Sequence, residues 1–189
     1  MLRLFPVLTL LLLTIGCADN SVAPGDPDLR SVNAAELQAE LAALDAEIVV
    51  LNAWATWCLP CRYEFPEFTE FGRRKAADGV VVRFLSMDYE GEVPEAIAFL
   101  KEQEVEGVTY IKAPGTTTFL RDMHPRWSGG IPASFVYDGD GNLLDFWEGM
   151  VDYEALDRRV AAARAQLDGG DAEETPEQDA TEETAALRR

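Results

Sequence analysis

Histidine is nearly missing from this sequence: His124 is the only one among 189 residues. Cysteine is scarce as well, limited to Cys17, Cys58 and Cys61. A zinc site built from such residues would want a second ligand pair, so no metal is expected. A structural disulfide framework would show more cysteines, spread along the chain. Positive charge is short: 16 Lys and Arg against 34 Asp and Glu leave a formal charge of −18. Phosphate binding needs a basic face, which removes nucleic acid from the expected partners. The acidic excess reads as a solvated surface. Long apolar runs are also lacking. The run at 4–15 falls short of the roughly 20 residues that cross a bilayer comfortably. His124 sits in Met123-His124-Pro125-Arg126-Trp127, outside any catalytic pattern, and reads as a surface-loop histidine.

The ends of the chain differ in composition from its middle. Arg3 followed by the apolar run at 4–15 has the layout of an export signal over residues 1–16. Thr14-Ile15-Gly16-Cys17 resembles the bacterial lipobox, with Thr14 departing from the usual Leu, and implies lipidation of Cys17. Residues 17–29, rich in Asp, Pro, Gly and Ser, read as a tether. Two acyl chains on Cys17 would hold the following domain at a membrane surface. The expected location is therefore the cell envelope, as a membrane-anchored lipoprotein facing the periplasm or extracytoplasmic side. Residues 30–167 read as one folded domain. Residues 168–189 are acidic and poor in apolar side chains, the composition of a disordered tail.

Between the ends, the pattern alternates strand and helix. An amphipathic helix is expected at 33–44, capped by Ser31 or Asn33, with Leu37, Leu41 and Leu44 on one stripe. Ile48-Val49-Val50-Leu51 suits a parallel strand buried on both faces. A helix follows at 59–77, with Pro60 in its first turn and Pro66 inside it. Further elements are a strand at 80–87, a helix at 94–103 with Ala96, Ile97 and Leu100 inward, and a short strand at 108–111. Residues 116–123 read as a turn or short helix. Strands at 133–137 and 143–147 flank the turn Asp138-Gly139-Asp140-Gly141-Asn142, and a helix closes the domain at 152–167. The fold class is α/β, a mixed central sheet with helices on both faces.

Cys58 and Cys61 lie where a buried strand gives way to a helix. A thiolate is the attacking form of cysteine, and the unpaired N–H groups of a helix N-terminus favour negative charge there. Cys58 is the expected exposed nucleophile. Cys61, one turn deeper, is the expected resolving thiol. Pro60 limits the flexibility of the turn between them. A purely structural bond over two intervening residues closes a small loop and would constrain the unfolded chain little. The pair therefore reads as redox-active.

The segment Val50-Leu51-Asn52-Ala53-Trp54-Ala55-Thr56-Trp57-Cys58-Leu59-Pro60-Cys61-Arg62 resembles the active-site segment of the thioredoxin superfamily. The similarity is greatest to its TlpA/ResA/DsbE-like branch of exported thiol-disulfide oxidoreductases. Pro66, the Gly130-Ile131-Pro132 loop and the Asp138-Gly139-Asp140-Gly141 turn match as well. Residues 88–111 look like that branch's helix-plus-strand insertion ahead of the cis-proline loop. The resemblance implies a thioredoxin-like fold and a cis Ile131–Pro132 bond beside the disulfide. It implies substrate contacts at Trp57, Pro60, Ile131 and Pro132, and no cofactor beyond the Cys58–Cys61 disulfide. Thioredoxins place a buried Asp where Asn52 stands, and Asn cannot take the proton of Cys61. Glu64 matches an acid common in ResA-like proteins and is the candidate proton relay. Trp54 reads as core. The branch usually carries a β-hairpin before the active-site strand, where this chain reads helical.

The implied activity is reduction of disulfides in exported clients, such as apocytochrome c or metal-site cysteines, with an upstream membrane electron donor of the DsbD/CcdA kind. An oxidant or isomerase of the same fold, and a redox-inert binding or copper-delivery module, are the alternatives. A copper carrier would space its cysteines further apart and add a placed histidine. A peroxiredoxin-type peroxidase would carry Thr at the position of Ala55.

Overall fold

A computed structural model describes residues 26–170, so the expected signal, Cys17 and most of the acidic tail lie outside the described residues. Six strands form one sheet in the order β1-β4-β3-β2-β5-β6. They are β1 (Pro27–Val32), β2 (Ile48–Trp54), β3 (Val80–Ser86), β4 (Gly107–Lys112), β5 (Ala133–Asp138) and β6 (Leu143–Glu148). The first four in spatial order run parallel, and β5 and β6 are antiparallel additions. Helices cover both faces: α1 (Ala34–Ala42) and the short α4 (Phe119–Met123) on one, α2 (Leu59–Lys75), α3 (Val93–Glu102) and α5 (Tyr153–Gly170) on the other. This is the thioredoxin-like architecture expected from the sequence.

Strand β2 is buried at every residue, as its β-branched run requires. Its alternation sends Ile48, Val50 and Trp54 toward α2, and Val49, Leu51 and Ala53 toward α1. Asn33 caps α1. Its side chain accepts from Glu36 N at 3.0 Å, and the Glu36 carboxylate accepts from Asn33 N at 2.9 Å, a reciprocal capping box.

Both domain edges differ from expectation. The chain joins the sheet at Pro27, inside the stretch read as tether, and β1 pairs with β4 along its whole length. Pro27 opens an edge strand, where its missing N–H is tolerated. Helix α5 runs on to Gly170, past the expected start of the tail. In α3 it is Phe99, with Ala96 and Leu100, that is buried, while Ile97 is half-buried.

That Phe99 completes an aromatic cluster behind the cysteine segment. Phe65 of α2 stacks on Phe84 at 4.1 Å between centroids and meets Trp54 edge-on at 5.1 Å and Phe99 at 5.0 Å. Trp54 is fully buried, as expected of core. Removing a ring held on three sides leaves a cavity that its aromatic neighbours cannot close. Phe65→Ala is expected to lower stability by about 3–5 kcal/mol, read as a lower urea midpoint at unchanged slope. A loss below about 1 kcal/mol would show that the cluster repacks.

Candidate redox site

Cys58 is the N-cap residue of α2, with extended backbone, and the helix begins at Leu59. Its sulfur accepts a hydrogen bond from Cys61 N at 3.2 Å. One otherwise unpaired N–H of the first helical turn is thus aimed at the Cys58 sulfur. Cys58 and Cys61 form a disulfide with Cα atoms 5.3 Å apart. Cys61 is fully buried, and Cys58 keeps 5% of its surface accessible. The order of accessibility is the expected one, but in the disulfide form Cys58 is less exposed than its assigned role suggested. Its neighbours Trp57 and Leu59 are the exposed groups.

The Ile131–Pro132 peptide is cis. The loop carrying it brings Ile131 O to 3.7 Å from the Cys58 sulfur. Pro132 O accepts from Gly149 N at 2.8 Å, so the loop after β6 is tied to the cis-proline loop. The indole N–H of Trp127 donates to Gly130 O at 2.9 Å, and Glu148 accepts from the N–H and hydroxyl of Ser128. The expected contact residues are therefore gathered at one place. Pro132 is buried and Ile131 half-buried, while Trp57 and Pro60 are exposed. Tyr63 and Met150 add further exposed apolar surface. His124 lies elsewhere, half-buried with its ring 4.2 Å from that of Phe146.

Beneath the disulfide lies a polar pocket in an otherwise apolar layer. Glu64, one turn after Cys61, is only 3% exposed. It is not a solvated acid of the helix surface. Asn52 Nδ2 donates to Glu64 Oε1 at 2.8 Å and to Ser134 Oγ at 3.1 Å. Val151 N donates to Glu64 Oε2 at 3.0 Å. Burial pushes the Glu64 carboxyl up to about 7, and the hydrogen bonds from Asn52 and Val151 pull against that rise. Asn52 Oδ1 is buried without a partner among the described residues.

Ser134 and the backbone of Val151 carry no local signal in the sequence. Ser134 sits directly across the ladder from Asn52, so fixing the β2–β5 register would have found it. Glu64 carried a stronger signal. With Cys61, Phe65, Phe68 and Phe71 it occupies the buried stripe of α2 at helical spacing.

A model of the AhpC/TSA family matches residues 26–145. HelX, a thiol:disulfide interchange protein of Rhodobacter capsulatus, is 27% identical over 117 residues, which make up 61% of this chain and 60% of HelX. The thiol:disulfide interchange protein DsbE of Pseudomonas aeruginosa is 29% identical over 141 residues, 74% of this chain and 72% of that one. The crystal structure of a thiol:disulfide interchange protein DsbE from Chlorobium tepidum matches with a TM-score of 0.51 at 30% identity, covering 63% of this chain and 81% of the other. The matched family model covers β1 to β5, the cysteine pair and the cis-proline loop together, and on that ground the chain belongs to the AhpC/TSA family, as a DsbE/ResA/TlpA-like member of the thioredoxin superfamily.

Proposed function

We propose that this chain is a thiol-disulfide oxidoreductase that reduces disulfides of exported client proteins. The observation that carries the reading is the Cys58–Cys61 disulfide at the N-terminus of α2, its outer sulfur 3.7 Å from Ile131 O. In the reduced protein, the Cys58 thiolate attacks one sulfur of the client disulfide. The client S–S bond breaks, a Cys58–client mixed disulfide forms, and the first client sulfur leaves as a thiolate that takes up a proton. Cys61 then loses its proton and attacks the Cys58 sulfur. The second client thiolate leaves, and two electrons have passed from the pair to the client. Trp57, Pro60, Ile131 and Pro132 form the face on which the client segment lies.

Glu64 is the group suited to take the Cys61 proton. It lies on the same helix one turn away, and its affinity for protons is matched to neutral pH. Asn52 orients the carboxyl and takes no proton itself. Re-reduction falls to an upstream membrane dithiol donor, of the DsbD/CcdA kind that the family resemblance implies. An export signal and a lipid on Cys17 place the domain at the extracytoplasmic membrane surface in this reading.

The direct test is insulin reduction with dithiothreitol as electron source. Wild-type protein is expected to accelerate it, Cys58→Ser to abolish the effect, and Cys61→Ser to accumulate the mixed disulfide. The potential of the pair is expected nearer thioredoxin, at about −270 mV, than DsbA, at about −120 mV. A wild type with no turnover leaves the fold a redox-inert scaffold, and a DsbA-like potential reverses the direction of electron flow.

The buried acid gives a separate pH signature. Folding raises the Glu64 pKa from an ordinary 4.5 to about 7, so the folded state holds the proton more tightly. The stability that this group contributes is fully present below pH 4.5 and is lost as pH rises through 7. Relative to Glu64→Gln, the oxidised wild type is expected to lose about 3 kcal/mol across that window, since each tenfold difference in proton affinity is worth about 1.4 kcal/mol. Urea unfolding of both proteins at several pH values reads the difference. The variant is also expected to lose an inflection near pH 7 in single-turnover reduction. Parallel stability curves together with unchanged exchange rates would remove Glu64 from the proton path.

A further inference from the structure

One buried acid takes no part in the exchange chemistry. Asp88 is 3% exposed and stands two residues beyond the end of β3. Its carboxylate accepts the Thr56 N–H at 2.9 Å on Oδ1 and 3.2 Å on Oδ2, and the Thr56 hydroxyl at 2.6 Å. The Ser86 hydroxyl donates to Oδ2 at 2.7 Å, and Asp88 N returns a bond to Ser86 Oγ at 3.1 Å. One carboxylate thus accepts from both hydrogen-bond donors of a residue two positions before Cys58.

The need for such a group follows from the topology. The β2–β3 ladder ends at the pair Trp54 and Ser86. Met87 N still donates to Trp54 O at 2.7 Å, but beyond that point the two chains separate. Residues 55–57 must then turn out of the sheet and deliver Cys58 to the start of α2. Cys58 N donates to Ala55 O at 3.1 Å, which closes the turn on itself without fixing it to the sheet. Past the ladder, the half-buried Thr56 N–H has no strand partner, and an unpaired buried N–H is costly. Asp88 supplies the acceptor in charge-assisted form. Its own orientation is held by Ser86 in the rigid end of β3.

Resting on the oxidoreductase reading of the pair, we propose that Asp88 is a positioning residue for Cys58. It anchors the turn through Thr56, and so sets the nucleophile sulfur against the Cys61 N–H and Ile131 O. Among the described residues Asp88 makes hydrogen bonds to Thr56 and Ser86 and none to either sulfur. Its effect reaches the chemistry through the geometry of the loop, where displacements of an ångström cost large factors in rate.

The test measures alkylation of Cys58 by iodoacetamide in the reduced full chain across about pH 5 to 9, where thiolate formation controls the rate. Asp88→Ala and Thr56→Val are expected to slow alkylation at neutral pH about tenfold and to move its pH midpoint upward. Insulin reduction is expected to lose kcat with KM nearly unchanged. Thr56→Ser, which keeps the hydroxyl, is expected to restore most of the rate. Unchanged alkylation in Thr56→Val and Asp88→Asn overturns the proposal. So does faster alkylation in both Asp88 variants, because the carboxylate would then act by its charge and not by holding the turn. If the Asp88 variants fail to fold, the contrast between Thr56→Val and Thr56→Ser decides. Alkylation needs no turnover, so a wild type inactive on insulin would sink the enzymatic reading while leaving this result readable.

Discussion

The site depends on one hydrogen bond, from the Cys61 N–H to the Cys58 sulfur. It exists because Cys58 is the cap and not the first residue of α2. As a cap its backbone is extended, and its side chain folds back over the first turn, as Ser or Asp does at other helices. The oxygen acceptor of an ordinary cap is here the sulfur of Cys58. In the proposed exchange, the interaction that starts the helix is also the one that favours a thiolate at Cys58, which ties helix formation to the activation of the nucleophile. Pro60 fits the same arrangement, since the first turn has no use for its missing N–H.

The second constraint is a carboxyl buried beneath the pair. A second acid at the position of Asn52 would set two carboxyls against each other, and only one could ionise readily. Asn52 instead offers an amide donor to Glu64 and to Ser134. The ionised acid is solvated by Asn52 and Val151 N–H, which recovers part of the burial penalty and leaves the carboxyl near neutrality in affinity. Buried polar groups in a mainly apolar layer hold their geometry tightly when partnered.

How much of this was legible in the sequence depended on whether a signal was local. The β-branched run of β2, the cysteine pair and the stop-and-start of α2 are local, and each appears where the sequence puts it. Strand β1 is not local. Pro27 and Asp28 have linker composition, and only pairing with β4, some eighty residues on, makes a strand of them. Asp88 and Ser134 are ordinary polar residues until the register brings them beside Thr56 and Asn52. Glu64 falls between these cases. Its helical spacing with Cys61 and Phe65 marked a buried face, but the acid's own polarity argued for solvent. Only the donors on Asn52 and Val151 reconcile the two.

These residues meet because of where β2 lies in the sheet. Its parallel neighbour β3 is on one side and its antiparallel neighbour β5 on the other. The loop leaving β2, the loop leaving β3, the loop entering β5 and the loop leaving β6 therefore open at the same edge. They carry Thr56, Asp88, Ile131 and Val151 respectively. At such a switch point connections diverge and leave a crevice above the strand ends. In this chain the disulfide lies at that edge, with Cys58 its more accessible half, next to the exposed Trp57 and to Ile131 of the cis-proline loop. A site assembled from four loops on one edge keeps both sulfurs on α2 and its N-cap, with Asp88, Ile131 and Val151 N supplied by the other loops. Exposed residues such as Met150 and Trp57, which border a client in the proposed reading, can vary without disturbing the sulfur, because none of the hydrogen bonds that hold Cys58 runs through their side chains.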